Sequence, residues 1–217
     1  MVLRKMAVDG EANVYVFGGK ELAPNYFWKY DPSGAMLWFR QGEFWGVKDF
    51  AVDREGNFYV SGTDTTGQYL RKYDPAGNEL WMRQHVRAGN LAVDRVGNLY
   101  ILAGLTIFKY DAEGRKMWDV ILYSAGTAMG VDGEGSVYIG GFTGSDFIVR
   151  KYDSQGAELW NRLIGSKKQV FFTGMAVDAE GSVYLSGAML AKTKKYSALF
   201  TSGSERFYQS FLMKLDR

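Results

Sequence analysis

Five aspartates recur at one place in a repeated segment: Asp9, Asp53, Asp94, Asp132 and Asp178, each closing an Ala-Val-Asp or Gly-Val-Asp. Carboxylates gathered around an axis are a donor set for a hard cation such as Ca2+. The same residues suit another task. The fourth residue after each is Asn or Ser, and the third is Gly in every copy but the first, which has Ala12. An Asp at the head of such a turn accepts hydrogen bonds from the backbone it precedes, and the Gly tolerates positive φ. Capping accounts for all five without a ligand, so no metal site is assigned. Asp31, Asp74, Asp111 and Asp153 head a second recurring turn and are read the same way. If the Gly site needs positive φ, Ala12 costs about 1 kcal/mol there.

Other reactive groups are few. His85 is the only histidine and cysteine is absent, which removes multi-histidine and thiolate metal sites and any disulfide framework. As a general base His85 needs a nucleophile or substrate beside it. A glycosidase needs two carboxyls across a sugar bond. The acids outside the repeat are Glu43, Asp64, Asp146 and Glu205, and none lies in a context that marks it as catalytic. No phosphate-cradling loop or nucleophile elbow occurs. No catalytic residue and no cofactor is assigned.

Binding chemistry is better represented. Aromatic and basic side chains interleave in the stretches between repeated segments: Phe44 and Trp45, His85 and Arg87, Tyr123, then Lys167, Lys168, Phe171 and Phe172. A further set lies in an insertion near the end, with Lys192, Lys194, Lys195, Tyr196, Phe200, Arg206, Phe207 and Tyr208. Such a mixture suits a glycan, an anionic ligand or a protein partner. Packing over the rim is the competing role for the aromatics.

The elements that carry these residues follow from the repeat. The first half of the unit reads MAVDGEANVYVFGG, FAVDREGNFYVSG, LAVDRVGNLYILAG, MGVDGEGSVYIGG and MAVDAEGSVYLSG. The second half reads FWKYDPSGAMLW, YLRKYDPAGNELW, IFKYDAEGRKMW, IVRKYDSQGAELW and a shortened FLMKLDR. The aspartates at 9, 53, 94, 132 and 178 step by 44, 41, 38 and 46 residues. Steps near forty fit a four-stranded propeller blade or a helical repeat. Short runs of Val, Ile, Tyr, Phe and Trp broken by Asp, Gly, Asn and Pro select strands. The second unit predicts strands near 48–52, 57–61, 69–73 and 79–84. The fold expected is all-β: a five-bladed β-propeller of four-stranded antiparallel blades, near 2–41, 46–85, 89–122, 127–163 and 173–217, in a single domain. Ala7, Ala51, Ala92, Gly130 and Ala176 are small where inner strands crowd an axis. Trp38, Trp81, Trp118 and Trp160 are expected to anchor adjacent sheets. The last unit lacks a fourth strand. It has three strands, or borrows one from its insertion, or is cut from a longer propeller. An open edge of this kind can recruit another chain, including a second copy.

The units A-V-D-x-x-G-N-x-Y-V-x-G and F-L-x-K-Y-D-x-x-G-x-x-L-W-x-R resemble the bacterial β-propeller repeat family often called SBBP and, more distantly, NHL repeats. KYDPAGNELW is also similar to the repeat of quinoprotein-type propellers. The resemblance implies the propeller and no particular activity. No cofactor ligands of those propellers match residue by residue.

A chain of 217 residues buries roughly 70% of its unfolded surface, enough for a core without staples. With 26 basic and 24 acidic residues its formal charge is +2, which gives no broad field for nucleic acid. No apolar run is long enough to span a bilayer. The first residues enter the repeat at once, without a signal peptide. A cytoplasmic location is expected as given, or an exported one if a leader was removed. In a four-stranded meander the two short, regular turns share one face and the variable loops share the other. The variable face is expected to bind a glycan or protein ligand without catalysis; the alternatives are a glycosidase or lyase with carboxylates on that face, or a purely structural propeller scaffold.

Overall fold

The computed structural model describes residues 2–19, 25–41, 46–143, 146–164, 170–198 and 201–215, with backbone only at 2, 170, 189–198 and 201–208. The described residues form strands and no helix. Four sheets are four-stranded antiparallel meanders in chain order and a fifth has three strands. The first blade holds β1 Val2–Val8, β2 Val14–Gly19, β3 Tyr26–Tyr30 and β4 Met36–Gln41. The second holds β5 Val47–Val52, β6 Phe58–Asp64, β7 Gly67–Tyr73 and β8 Glu79–Gln84. The third holds β9 Asn90–Val93, β10 Leu99–Ala103, β11 Thr106–Tyr110 and β12 Lys116–Ile121. The fourth holds β13 Gly126–Val131, β14 Val137–Thr143, β15 Asp146–Tyr152 and β16 Glu158–Ile164. The last holds β17 Val170–Val177, β18 Val183–Ala198 and β19 Thr201–Leu215. This is a five-bladed β-propeller whose last blade has three strands.

The insertion in the last unit behaves differently from a loop and does not supply an outer strand. It lengthens the two strands on either side of it. β18 and β19 pair from Val183↔Leu215 to Ala198↔Thr201, with one register shift between Leu190 and Lys192. In the first blade the residues before Met6 extend the inner strand as the repeat predicts, and Val2 pairs with Gly19.

The chain divides into two compact units, Met1–Leu122 and Tyr123–Arg217. In the first, one apolar cluster joins Tyr15, Phe17 and Phe27 to Phe50, Phe58 and Tyr69. A second joins Tyr59 and Leu70 to Leu91, Leu99 and Ile101. Both clusters therefore lie between neighbouring blades. In the second unit Tyr138, Phe147 and Val149 meet Val183 and Leu185 in the same way. Alternation along each strand places one set of side chains toward the following blade.

Two of the four recurring Trp residues have a defined partner in the next blade. Trp38 donates its indole N–H to the carbonyl of Pro75 at 2.9 Å, and Trp81 to that of Ala112 at 3.2 Å. The acceptor in each case is the second turn of the next blade. Two residues on, Arg40 donates to Ala76 and Arg83 to Glu113. In these two blades the sequence L-W-x-R is thus a latch to the next blade.

Candidate functional site

On the regular-turn face of the first unit, the turn carboxylates are consumed by their own turns. Asp9 Oδ1 accepts the backbone N–H groups of Glu11 and Asn13 at 3.0 and 2.9 Å, and its Oδ2 accepts the Asn13 side chain at 2.9 Å. Asp53 and Asp94 repeat this with Asn57 and Asn98. The second turn does the same: Asp74 accepts from Ala76 N, Asn78 N and the Asn78 amide. In the second unit Asp132 takes backbone N–H groups from Glu134 and Ser136, and the Tyr138 hydroxyl at 3.0 Å. Capping explains the five aspartates. Among the described residues no group of three or more His, Cys, Asp or Glu side chains is placed to hold a metal. A cavity of about 480 Å³ on this face is lined by Val8, Val52 and Val93, the three turn aspartates, Gly10, Arg54 and Arg95.

These caps belong to a larger cluster that sequence reading missed. In every blade a Lys of the third strand lies over the ring of the Tyr six residues after the turn aspartate. Lys29 lies 4.8 Å from the Tyr15 ring centre, Lys72 5.0 Å from Tyr59, Lys109 5.1 Å from Tyr100, Lys151 4.9 Å from Tyr138 and Lys214 5.6 Å from Tyr184. Lys29 Nζ is 3.7 Å from Asp9, and Lys151 Nζ is 3.5 Å from Asp132. The Tyr15 hydroxyl donates across to Gly56 O at 2.7 Å, and Lys72 Nζ to Ala112 O at 3.2 Å. Burial alone would raise the Asp9 and Asp132 carboxyls, but the hydrogen bonds and then the lysine charge hold both below the usual value. At Asp53 burial prevails and pushes the carboxyl up. Burial and the adjacent aspartates push the Tyr15 and Tyr59 hydroxyls up, so both are donors at neutral pH. Because Lys and Tyr are as regular as the caps, they read in sequence as strand filler. The recurring i, i+6 spacing from Asp to Tyr was the available signal.

The opposite face of the first unit carries the loops. Thr63 N donates to Gly46 O at 3.1 Å, joining the loop before β5 to the hairpin between β6 and β7. Gly46 has φ 53°, and a Cβ there would lie 2.1 Å from Thr63 O, so both conformation and space demand glycine. A cleft of about 500 Å³ is lined by Gly46, Thr63, Asp64 and Thr65. Beside it the loop after β8 is fastened to the same hairpin. Gln84 Nε2 donates to Thr66 Oγ1 at 2.9 Å, and Ala88 N to Gln68 Oε1 at 3.1 Å. His85 sits on that loop at φ 58°, a left-handed conformation that is rare for a residue with a Cβ. His85 and Arg87 are exposed. Asp64 accepts Thr66 N and Oγ1 at 2.8 and 2.6 Å and lies 3.7 Å from Arg71. The Thr66 bonds lead in holding the Asp64 carboxyl below the usual value. Arg71 also reaches Glu79 at 3.2 Å, and its Nε is buried without a hydrogen-bond partner.

In the second unit Tyr123 is 94% exposed and Phe171 is 48% exposed. Phe172 is packed inward. Its ring stacks on Phe147 at 3.5 Å and meets Phe142 and Phe211 edge-on. The structure thus places His85 and Arg87, both exposed, on the loop that Gln84 and Ala88 fasten to the hairpin, and places Phe172 in an apolar cluster. Phe44, Trp45, Lys167 and Lys168 lie outside the described residues. Sequence reading passed over Thr63, Thr65 and Gly46, because small and hydroxyl side chains in a hairpin look like turn formers.

No protein-family model matches the chain. No curated protein matches it either. Among solved structures, the hydrazine synthase of Kuenenia stuttgartiensis is similar with a TM-score of 0.67 and 11% identity, over 86% of this chain and 55% of that one. A protein of unknown function from Bacteroides caccae is similar with a TM-score of 0.57 and 13% identity, over 84% and 69% of the two chains. A gluconolactonase from Xanthomonas campestris is similar with a TM-score of 0.57 and 15% identity, over 85% and 69%. The chain spans about half the length of the first of these. At such identities the likeness shows the fold: the neighbours are β-propellers, and so is this protein.

Proposed function

We propose that this propeller is a non-enzymatic binding module that takes a saccharide on the loop face of its first unit. The observation that carries the reading is the cleft of Gly46, Thr63, Asp64 and Thr65 together with the loop of His85 and Arg87, which Gln84 and Ala88 fasten to the same hairpin at Thr66 and Gln68. About 500 Å³ is within the range of small-ligand sites. Hydroxyls, one carboxylate, an imidazole and a guanidinium supply the donors and acceptors that sugar hydroxyls need. His85 and Ala12 are the two residues other than Gly at positive φ among the described residues, and His85 alone of them lies outside the regular turns. The likeness of the repeat to SBBP and NHL propellers is consistent with such a module. Asp64 is tied to Thr66 and Arg71 and stays ionised, which suits a hydrogen-bond acceptor better than a general acid.

A glycan panel incubated with the purified chain tests this. The expected result is retention of one saccharide class without turnover, weakened at least about tenfold by Arg87→Ala or Thr65→Ala. Turnover of a retained glycan, or equal retention by both variants, overturns it.

A further inference from the structure

The position after each first-turn aspartate holds Gly10, Arg54, Arg95, Gly133 and Ala179. The fold does not require arginine there. In the second unit Gly133 N donates to Ala179 O at 3.0 Å, and in the first Gly10 N donates to Arg54 O at 3.0 Å. The same blade-to-blade contact is made with alanine or with arginine, through the backbone alone. What Arg54 and Arg95 add is side-chain charge, and they add it on adjacent blades at one cavity.

That cavity measures about 480 Å³, and all of its lining residues belong to the first unit. Arg54 is laid across the neighbouring turn. A Cβ on Gly10 would lie 2.5 Å from Arg54 Cγ and 3.4 Å from its Nε, so glycine at that turn leaves the space the arginine takes. Within the first unit no hydrogen bond or ion pair engages the guanidinium of Arg54 or of Arg95. Other arginines of this unit are in use: Arg40 and Arg83 donate to the next blade, and Arg115 pairs with Asp111.

The carboxylates of the cavity do not answer this charge. Asp9, Asp53 and Asp94 give their oxygens to their own turns. Each also has a lysine of its own blade as counter-charge: Lys29 Nζ is 3.7 Å from Asp9, and Lys72 and Lys109 act on Asp53 and Asp94. Three aspartates are balanced by three lysines, which leaves two guanidiniums as the unbalanced charge of the lining. Glu11 and Glu55 follow on the turns but do not line the cavity.

We propose that this cavity binds the oxyanion group of a small molecule, held by Arg54 and Arg95, with the rest of the ligand against Val8, Val52 and Val93. Guanidiniums bind phosphate and carboxylate through paired, charge-assisted N–H bonds. The volume is within the range of small-ligand sites. No reaction is assigned, because the carboxylates at hand are tied into turns. The cavity lies on the regular-turn face, so this inference stands apart from the saccharide reading of the loop face.

The test titrates the intact chain with inorganic pyrophosphate and, separately, with citrate, following the arginine Nε–H signals by NMR. One saturable site is expected, with the Arg54 and Arg95 signals shifting together. Arg54→Ala or Arg95→Ala should each weaken binding at least about tenfold, and the double substitution should abolish it. The double variant should keep the ligand-free urea midpoint of the unaltered chain, since the second unit builds the same turns with Gly133 and Ala179. The bound probe should raise the midpoint of the unaltered chain alone. The probe that binds more tightly tells a phosphoryl ligand from a carboxylate one. Failure of both probes to saturate, undiminished binding by the double variant, or equal weakening by Arg115→Ala would each overturn the proposal.

Discussion

Ala12 is the one residue at the first-turn glycine position that has a side chain, and it adopts φ 63° there. Its counterparts Gly56, Gly97, Gly135 and Gly181 have φ between 80° and 87°. A left-handed conformation costs an L-residue roughly 1–2 kcal/mol, part of which glycine returns through its freer unfolded chain. Ala12→Gly should therefore stabilise the protein by about 1 kcal/mol, read as a higher urea midpoint with an unchanged slope. At this scale the sequence was informative where a residue type has one purpose. Asp before Gly-Asn named a cap, and the odd alanine named a strain. It was uninformative where one type serves several purposes. Lys72 is 8% exposed and lies over Tyr59, yet a lysine in a strand reads as a solvent-facing residue.

At the scale of the element, the first blade is held to the second and the second to the third by a small set of donors from the third and fourth strands. Trp81 shows the arrangement in full. Its indole donates to Ala112 O at 3.2 Å, its ring meets Tyr59 edge-on, and Arg83 lies 5.1 Å from its centre. Gly114 of the next blade gives it room, since a Cβ there would lie 3.0 Å from Cη2. Trp81→Ala should cost about 3 kcal/mol in urea unfolding, more than a surface substitution can. Strand order, turn positions and the Trp anchors were legible because they recur. The long hairpin of β18 and β19 was not, because an insertion that occurs once has no period to reveal its pairing. The cleft was hidden for a related reason: it joins Gly46, just before β5, to 63–65 at the end of β6, across two strands of sequence.

For the whole molecule, stability should depend on acid in a way set by the caps. Asp9 and Asp132 hold protons less readily folded than unfolded. Their contribution is complete above the ordinary carboxylate value of 3.8 and is lost as pH falls through their lower folded values. Asp53 has a raised folded value and acts in the opposite sense, favouring the fold most when protonated. The urea midpoint should hold level toward pH 4 and fall below it, on the carboxylate scale. Asp53→Asn should make that fall steeper. A midpoint that rises below pH 4 would contradict the assignment of the caps as ionised acceptors.

The lysines laid over the tyrosines also make the protein its own reporter. Lys29, Lys72 and Lys109 are 6%, 8% and 4% exposed, and burial pushes the Lys109 amine down. An amine-reactive acetylating reagent should modify exposed lysines such as Lys116 quickly and leave these three untouched in the native chain. Peptide mass spectrometry would then follow their labelling as urea is added. The residue at which acetylation first appears would identify the blade-to-blade seam that opens first.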